Sequence, residues 1–152
     1  MVPQPNGRLP FRALSTKEAD YMGLRKFSTF VTADVTLVTT AETVIATLSG
    51  VSTNQPGQTV AFEGDCTLTT GANTTAITLR VRRDTVAGAV VGESVPDAVS
   101  AAAGSVETHQ IVVADSTLGE FGSGVFVLTA QQTAASANGT VSQCSLRCEV
   151  TP

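Results

Sequence analysis

Apolar and polar residues alternate along most of this chain with a period of two. In TAITLRVRR, Ile77, Leu79 and Val81 share one face and Thr78, Arg80 and Arg82 the other, the pattern of a strand with one side on a core. TVAFEGDCTL turns Val60, Phe62, Cys66 and Leu68 inward and Glu63 and Asp65 outward. VSQCSLRCEV, at 141–150, sets Cys144, Leu146, Cys148 and Val150 against an outer row of Ser145, Arg147 and Glu149. TVIATL aligns Val44, Ala46 and Leu48, THQIVVAD gives a strand near 106–113, and VFVLTAQQ another over 125–132. The small residues of AVVGESVPDAVSAAAG predict a short strand, a loop and a weaker strand before Gly104.

Turn residues separate these runs: NQPG at 54–57, GANTT at 71–75 as a hairpin connection, and DSTLGEFGSG at 115–124 as a long turn. About eight strands with no helix between them exclude a βαβ architecture. They predict an all-β, antiparallel β-sandwich over residues 31–152. Jelly-roll winding is favoured over an immunoglobulin-like one, because the chain has no Trp and lacks the Cys and Trp spacing of that fold.

Residues 1–30 break the pattern. Pro3, Pro5 and Pro10 deny helix to the opening MVPQPNGRLPFRAL, yet this stretch carries Val2, Leu9, Phe11 and Leu14. A segment made only to be disordered has no need of such groups. Ser15 through Glu18 has the form of a capping box and predicts a short helix over about 16–26, too short to be stable alone in water. The expectation is an extended N-terminal arm, 1–30, containing one short helix that docks on something else.

Charge sharpens the division. Arg8, Arg12, Lys17, Arg25 and Lys26 against Glu18 and Asp20 give residues 1–30 a net +3, which leaves −7 on the rest of a chain whose total is −4. Four of the seven aromatic residues, Phe11, Tyr21, Phe27 and Phe30, lie in the same segment. A body this acidic argues against nucleic acid as a partner, while a short basic arm suits an acidic protein surface. No run of eighteen apolar residues occurs, and prolines stand where a secretory signal needs a continuous apolar stretch, so a soluble protein without membrane association is expected.

Candidate chemistry is sparse. Cys66, Cys144 and Cys148 lack the spacing of zinc or redox sites. Cys144 and Cys148, about 13 Å apart along one strand face, are too distant to bridge each other, so buried thiols are expected. His109 is the one histidine, placed in a strand with no acid at a useful local spacing, and is read as facing solvent or a neighbouring subunit. Glu63 and Asp65 share a face, but calcium needs six to eight converging oxygens. Arg80, Arg82 and Arg83 form a possible anion site whose simpler reading is pairing with acids across the sheet. The glycines at 119, 122 and 124 do not lead a strand into a helix, as a phosphate-binding loop must. No catalytic residue, metal site or cofactor is expected, and no enzyme.

The arm through KEADYMGLRKF, together with TAITLRVRRDTVAG and GVFVLTAQQTAASANGTVSQCSLRCEV, resembles the small decoration, or cement, proteins of tailed bacteriophage heads. The resemblance implies a homotrimer on the outer capsid surface of a virion, with the major capsid protein as partner and shell stabilisation as its role. Arg8, Leu9, Phe11, Arg12, Leu14, Tyr21, Leu24, Arg25 and Phe27 are then the residues expected to bind the capsid or a neighbouring subunit. The alternative is a phage tail or fibre receptor-binding domain that grips cell-surface carbohydrate.

Overall fold

The computed structural model describes residues 24–37, 40–53, 57–74, 76–115, 123–134 and 138–152. In chain order the strands are β1 (Arg25–Val31), β2 (Val35–Leu37), β3 (Thr43–Ser52), β4 (Thr59–Thr69), β5 (Ala76–Arg83), β6 (Val90–Glu93), β7 (Asp97–Ala98), β8 (Val106–Asp115), β9 (Ser123–Gln132) and β10 (Gly139–Thr151). All pairing is antiparallel. Sheet A runs β1-β10-β4-β8, with β2 also on β10; sheet B runs β3-β9-β5-β6, with β7 also on β5.

The winding follows from treating β1 with β2, and β6 with β7, as two interrupted strands. The first then pairs with the last (β1 with β10), the second with the second last (β3 with β9), and so inward through β4 with β8 and β5 with β6. The chain is thus one long hairpin rolled into two sheets, the order of a jelly roll. A bulge explains the split at the chain's start. β10 pairs with β2 through Gly139–Val141 and with β1 through Cys144–Val150, and between them its register against β4 shifts, with Gln143 at a φ of 49°.

The core lies between the sheets. Val60, Phe62, Cys66 and Leu68 of β4 and Cys144, Leu146, Cys148 and Val150 of β10 meet Ile77, Leu79 and Val81 of β5 and Phe126 and Leu128 of β9, all buried. At its centre the Phe62 and Phe126 rings pack at 45° with centroids 4.6 Å apart, a tilted geometry that aromatic pairs favour. Truncating either ring to Ala costs about 3–5 kcal/mol. Toward one margin the sheets close tightly: a Cβ on Gly92 of β6 would stand 2.3 Å from Val113 Cγ2 on β8.

Three sequence expectations change. The helix over 16–26 does not hold at its end, because Arg25 and Lys26 open β1 and pair with Val150 and Glu149; residues 16–23 lie outside the described residues. In β3 a register shift between Val44 and Ala46 turns Ile45 into the core and leaves Val44 exposed, so Val44 does not share the face of Ala46 and Leu48. The segment at 71–75 joins β4 of sheet A to β5 of sheet B and is a crossover between sheets, not a hairpin turn.

Candidate functional site

Among the described residues the outer faces of the two sheets differ in what covers them. On sheet B, Thr129 and Val127 of β9 are buried although they point away from the core. Glu42, just before β3, lies against Thr129 and is gripped by β5. Arg82 donates to it through Nε and Nη2, both at 2.6 Å, Arg80 Nη1 lies at 3.4 Å, and the Thr129 hydroxyl donates to the same carboxylate. Arg80 is held further by Glu93 at 2.5 Å and Gln131 at 2.6 Å, and Arg82 by the Gly88 carbonyl at 2.9 Å. Burial alone would raise the Glu42 carboxyl, but hydrogen bonds from Arg82 and Thr129 and the charges of Arg82 and Arg80 outweigh it and hold it below the ordinary value. The pairing of Arg80 and Arg82 with acids is therefore as the alternation implied, and Arg83 stands 3.9 Å from Asp84. These arginines roof the sheet. They do not form an open anion site.

Sheet A has no such roof among the described residues. Its strands align Ser28, Arg147, Glu63 and Val112 in one cross-strand row and Lys26, Glu149, Ala61 and Ala114 in the next. All of these but Ala114 line a shallow depression of about 600 Å³. Phe30 on β1 is 63% exposed and Val112 on β8 75% exposed. The charges pair loosely, Lys26 with Glu149 at 3.9 Å and Arg147 with Glu63 at 3.8 Å. Exposed pairs at such distances contribute only about 0–1 kcal/mol, so they can exchange partners at little cost. Glu63 and Asp65 share this outer face as expected, with Asp65 engaged by the Ser145 hydroxyl.

Of the residues expected to bind the capsid or a neighbouring subunit, Arg8, Leu9, Phe11, Arg12, Leu14 and Tyr21 lie outside the described residues. Leu24 is exposed at the root of β1. Arg25 donates to the Ser52 carbonyl at 3.1 Å and hydroxyl at 2.8 Å, and its guanidinium sits 5.3 Å from the Phe27 ring centroid. Phe27 packs partly buried against the core. The root of the N-terminal segment is thus tied into the sandwich between β1 and β3, and β1 occupies Arg25–Val31, ahead of the expected boundary at residue 31.

His109 departs from its expected place. It is buried and faces inward, because it shares the parity of Ile111 and Val113 on β8. Its Nδ1 lies 2.8 Å from Asp97 Oδ2, which as a carboxylate accepts the hydrogen bond. Glu107, two residues away on the same face, stands 3.7 Å from Nε2, so acids are close in space where the sequence showed no useful spacing. Nε2 has no hydrogen-bond partner among the described residues, and hence no hydroxyl or thiol is poised against it. The cysteines are free and buried, as expected. Desolvation pushes the Cys66 and Cys148 thiols up to about 12 and Cys144 to about 11, the reverse of what a nucleophilic thiolate needs. No group of three or more His, Cys, Asp or Glu among the described residues is arranged to hold a metal ion.

No protein-family model and no curated protein matches the sequence. Among solved structures, the sandwich is similar to a chain of the T13 viral particle of infectious bursal disease virus, with TM-score 0.60 and 8% identity over 83% of this chain and 31% of that one. It is similar also to the VP2 subviral particle of the same virus, at TM-score 0.59 and 9% identity over 83% of this chain and 32% of that one. The chain thus spans about a third of the length of the proteins it matches, and what it shares with them is the β-sandwich fold.

Proposed function

We propose that this chain is a structural protein of a virus particle, a decoration or cement protein that binds the outer surface of a phage capsid as a homotrimer. The observation that carries this reading is the agreement of the sandwich, over 83% of the chain, with a chain of a virus particle. Two further features support it. The segment rich in basic and apolar groups leads into β1, at the margin of the outer face of sheet A, and the three thiols are buried and kept protonated by desolvation. In this reading Leu9, Phe11, Leu14, Tyr21 and Leu24 anchor the arm on the major capsid protein while Arg8 and Arg12 guide its approach. Arg25 and Phe27 fix the arm to the body.

Apolar anchors dominate the affinity, since burying one large side chain is worth roughly 1.5–3 kcal/mol and an exposed ion pair about 0–1 kcal/mol. Co-sedimentation with empty heads tests this. Phe11→Ala weakens binding at every salt concentration, whereas Arg8→Ala and Arg12→Ala weaken it mainly at low salt. At high dilution, light scattering gives about three times the 15.6 kDa chain mass. Negative-stain images of particles made with and without the protein supply the decisive contrast. Knobs across the head support the reading; loss of density at the tail tip overturns it in favour of receptor binding.

A further inference from the structure

The two sheets have four lateral edges, and three of them carry features that discourage a foreign strand. β3 shifts register twice along β9, and Arg25 of β1 bonds across to it. β6 has four residues and a register shift against β5. The β1 and β2 edge is broken at 32–34 and bears Lys26. Short strands, irregular register and lysines are the usual means by which sandwiches keep their edges from pairing.

β8 is long, has regular register and bears no lysine; its inward-facing Glu107 is taken up at 2.8 Å by the Ser100 N–H. It pairs with β4 over ten consecutive residues, Val106–Asp115 against Thr69–Val60, without a register shift. It contains no Lys, Arg, Pro or Gly. Among the described residues its main chain is paired on that side only. Its outward residues Val106, Thr108, Gln110, Val112 and Ala114 are uncharged and all exposed. Val106 reaches 67% and Val112 75% exposure.

We propose that the free edge of β8 is a two-fold self-association site, at which a second copy of the chain adds its own β8 antiparallel and joins two copies of sheet A edge to edge. The strand complements itself. Residues directly opposite in an antiparallel pair share a face, so a two-fold axis at Gln110 sets Val106 opposite Ala114, Thr108 opposite Val112 and Gln110 opposite its counterpart. On the outer face no charge then meets a like charge, both exposed valines gain apolar or threonine neighbours, and the two Gln110 amides meet. The contact is isologous and therefore closes at two units. It stands independently of the capsid reading, since it concerns copies of this chain in solution.

The test is the mass of the full chain by light scattering over a concentration series, together with amide exchange of residues 106–115. The expected result is a doubling from whatever unit exists at high dilution, with slower exchange in β8 as concentration rises. Thr108→Lys with Val112→Lys places ammonium groups opposite one another and abolishes the doubling, while at dilutions where the native chain is itself undoubled the melting temperature stays unchanged because both side chains are exposed. Thr108→Lys with Val112→Glu places opposite charges across the two-fold and restores it. A native chain whose mass does not change with concentration, β8 amides indifferent to concentration, or a double-lysine variant that still doubles overturns the proposal.

Discussion

Replacing Glu42 by Gln keeps the size of the side chain and removes the charge that both Arg80 and Arg82 approach. Glu42 is 12% exposed, Arg80 14% and Arg82 18%, so the cluster is largely withdrawn from water. Removing one partner of a buried pair costs about 3–5 kcal/mol, because the remaining charge is left desolvated. Here the loss is smaller. Arg80 keeps Glu93 and Gln131, Arg82 keeps the Gly88 carbonyl, and the glutamine oxygen still accepts one hydrogen bond. The expected loss is about 2–3 kcal/mol, a fall in Tm of roughly 4–12 °C for a chain of this size. The pH dependence adds a second check. The folded carboxyl titrates below its unfolded value near 4.5, so its contribution is present in full above that pH and disappears as the pH falls through the depressed folded value. Urea unfolding of both proteins between pH 3 and pH 7 measures this. A loss under about 0.5 kcal/mol at pH 7, or a difference between the proteins that does not shrink toward pH 3, refutes the reasoning.

Gly92→Ala forces a methyl group to 2.3 Å from Val113 Cγ2 and destabilises by about 1–3 kcal/mol; Val113→Ala in the same chain recovers part of that loss in a urea melt, and equal stability of wild type and Gly92→Ala contradicts the close approach. Iodoacetamide at pH 8 leaves all three cysteines unlabelled in the native protein and reacts with them in denaturant, since their thiols titrate at about 11 to 12; mass spectrometry showing rapid native labelling counts against the burial. A chain beginning at Leu24 keeps the cooperative melt of the full protein, whereas one beginning at Thr32 loses β1, with its seven register pairs and the packing of Phe27 and Val31, and melts lower; equal melting of the two truncations removes β1 from the cooperative unit.

The inner rows of β4, β5 and β10 were legible because each is a long alternating run with one side on the core, and local pattern reports such a side well. The first strand was not. RKFSTFV does alternate, with Phe27, Thr29 and Val31 partly buried, but the capping box upstream favoured a helix reaching residue 26. Ile45 was missed because a bulge adds a residue without a sequence mark, and one added residue reverses the face of everything before it. His109 had a usable signal in its parity with Ile111. Its acid partner Asp97 comes from another strand, which no local spacing reveals. The same holds for Glu42, whose arginine partners lie 38 and 40 residues away. The open face of sheet A emerged only from the contrast with a roofed sheet B, and that contrast depends on which strands neighbour which.

The bonding at Arg25 bears on how the molecule carries mechanical load. A pull arriving from residues that precede β1 enters the sandwich at Arg25, whose side chain is bonded to Ser52 on the opposite sheet. Directed along the strand, that pull is shared at once by the seven register pairs from Arg25 with Val150 to Val31 with Cys144. It shears the pairing and does not peel it pair by pair. Directed across the strand, the same tension falls first on the Arg25 contacts alone. A tether rooted in this way resists tension parallel to β1 far better than tension perpendicular to it, and the Arg25 link to Ser52 makes sheet B share the load with sheet A.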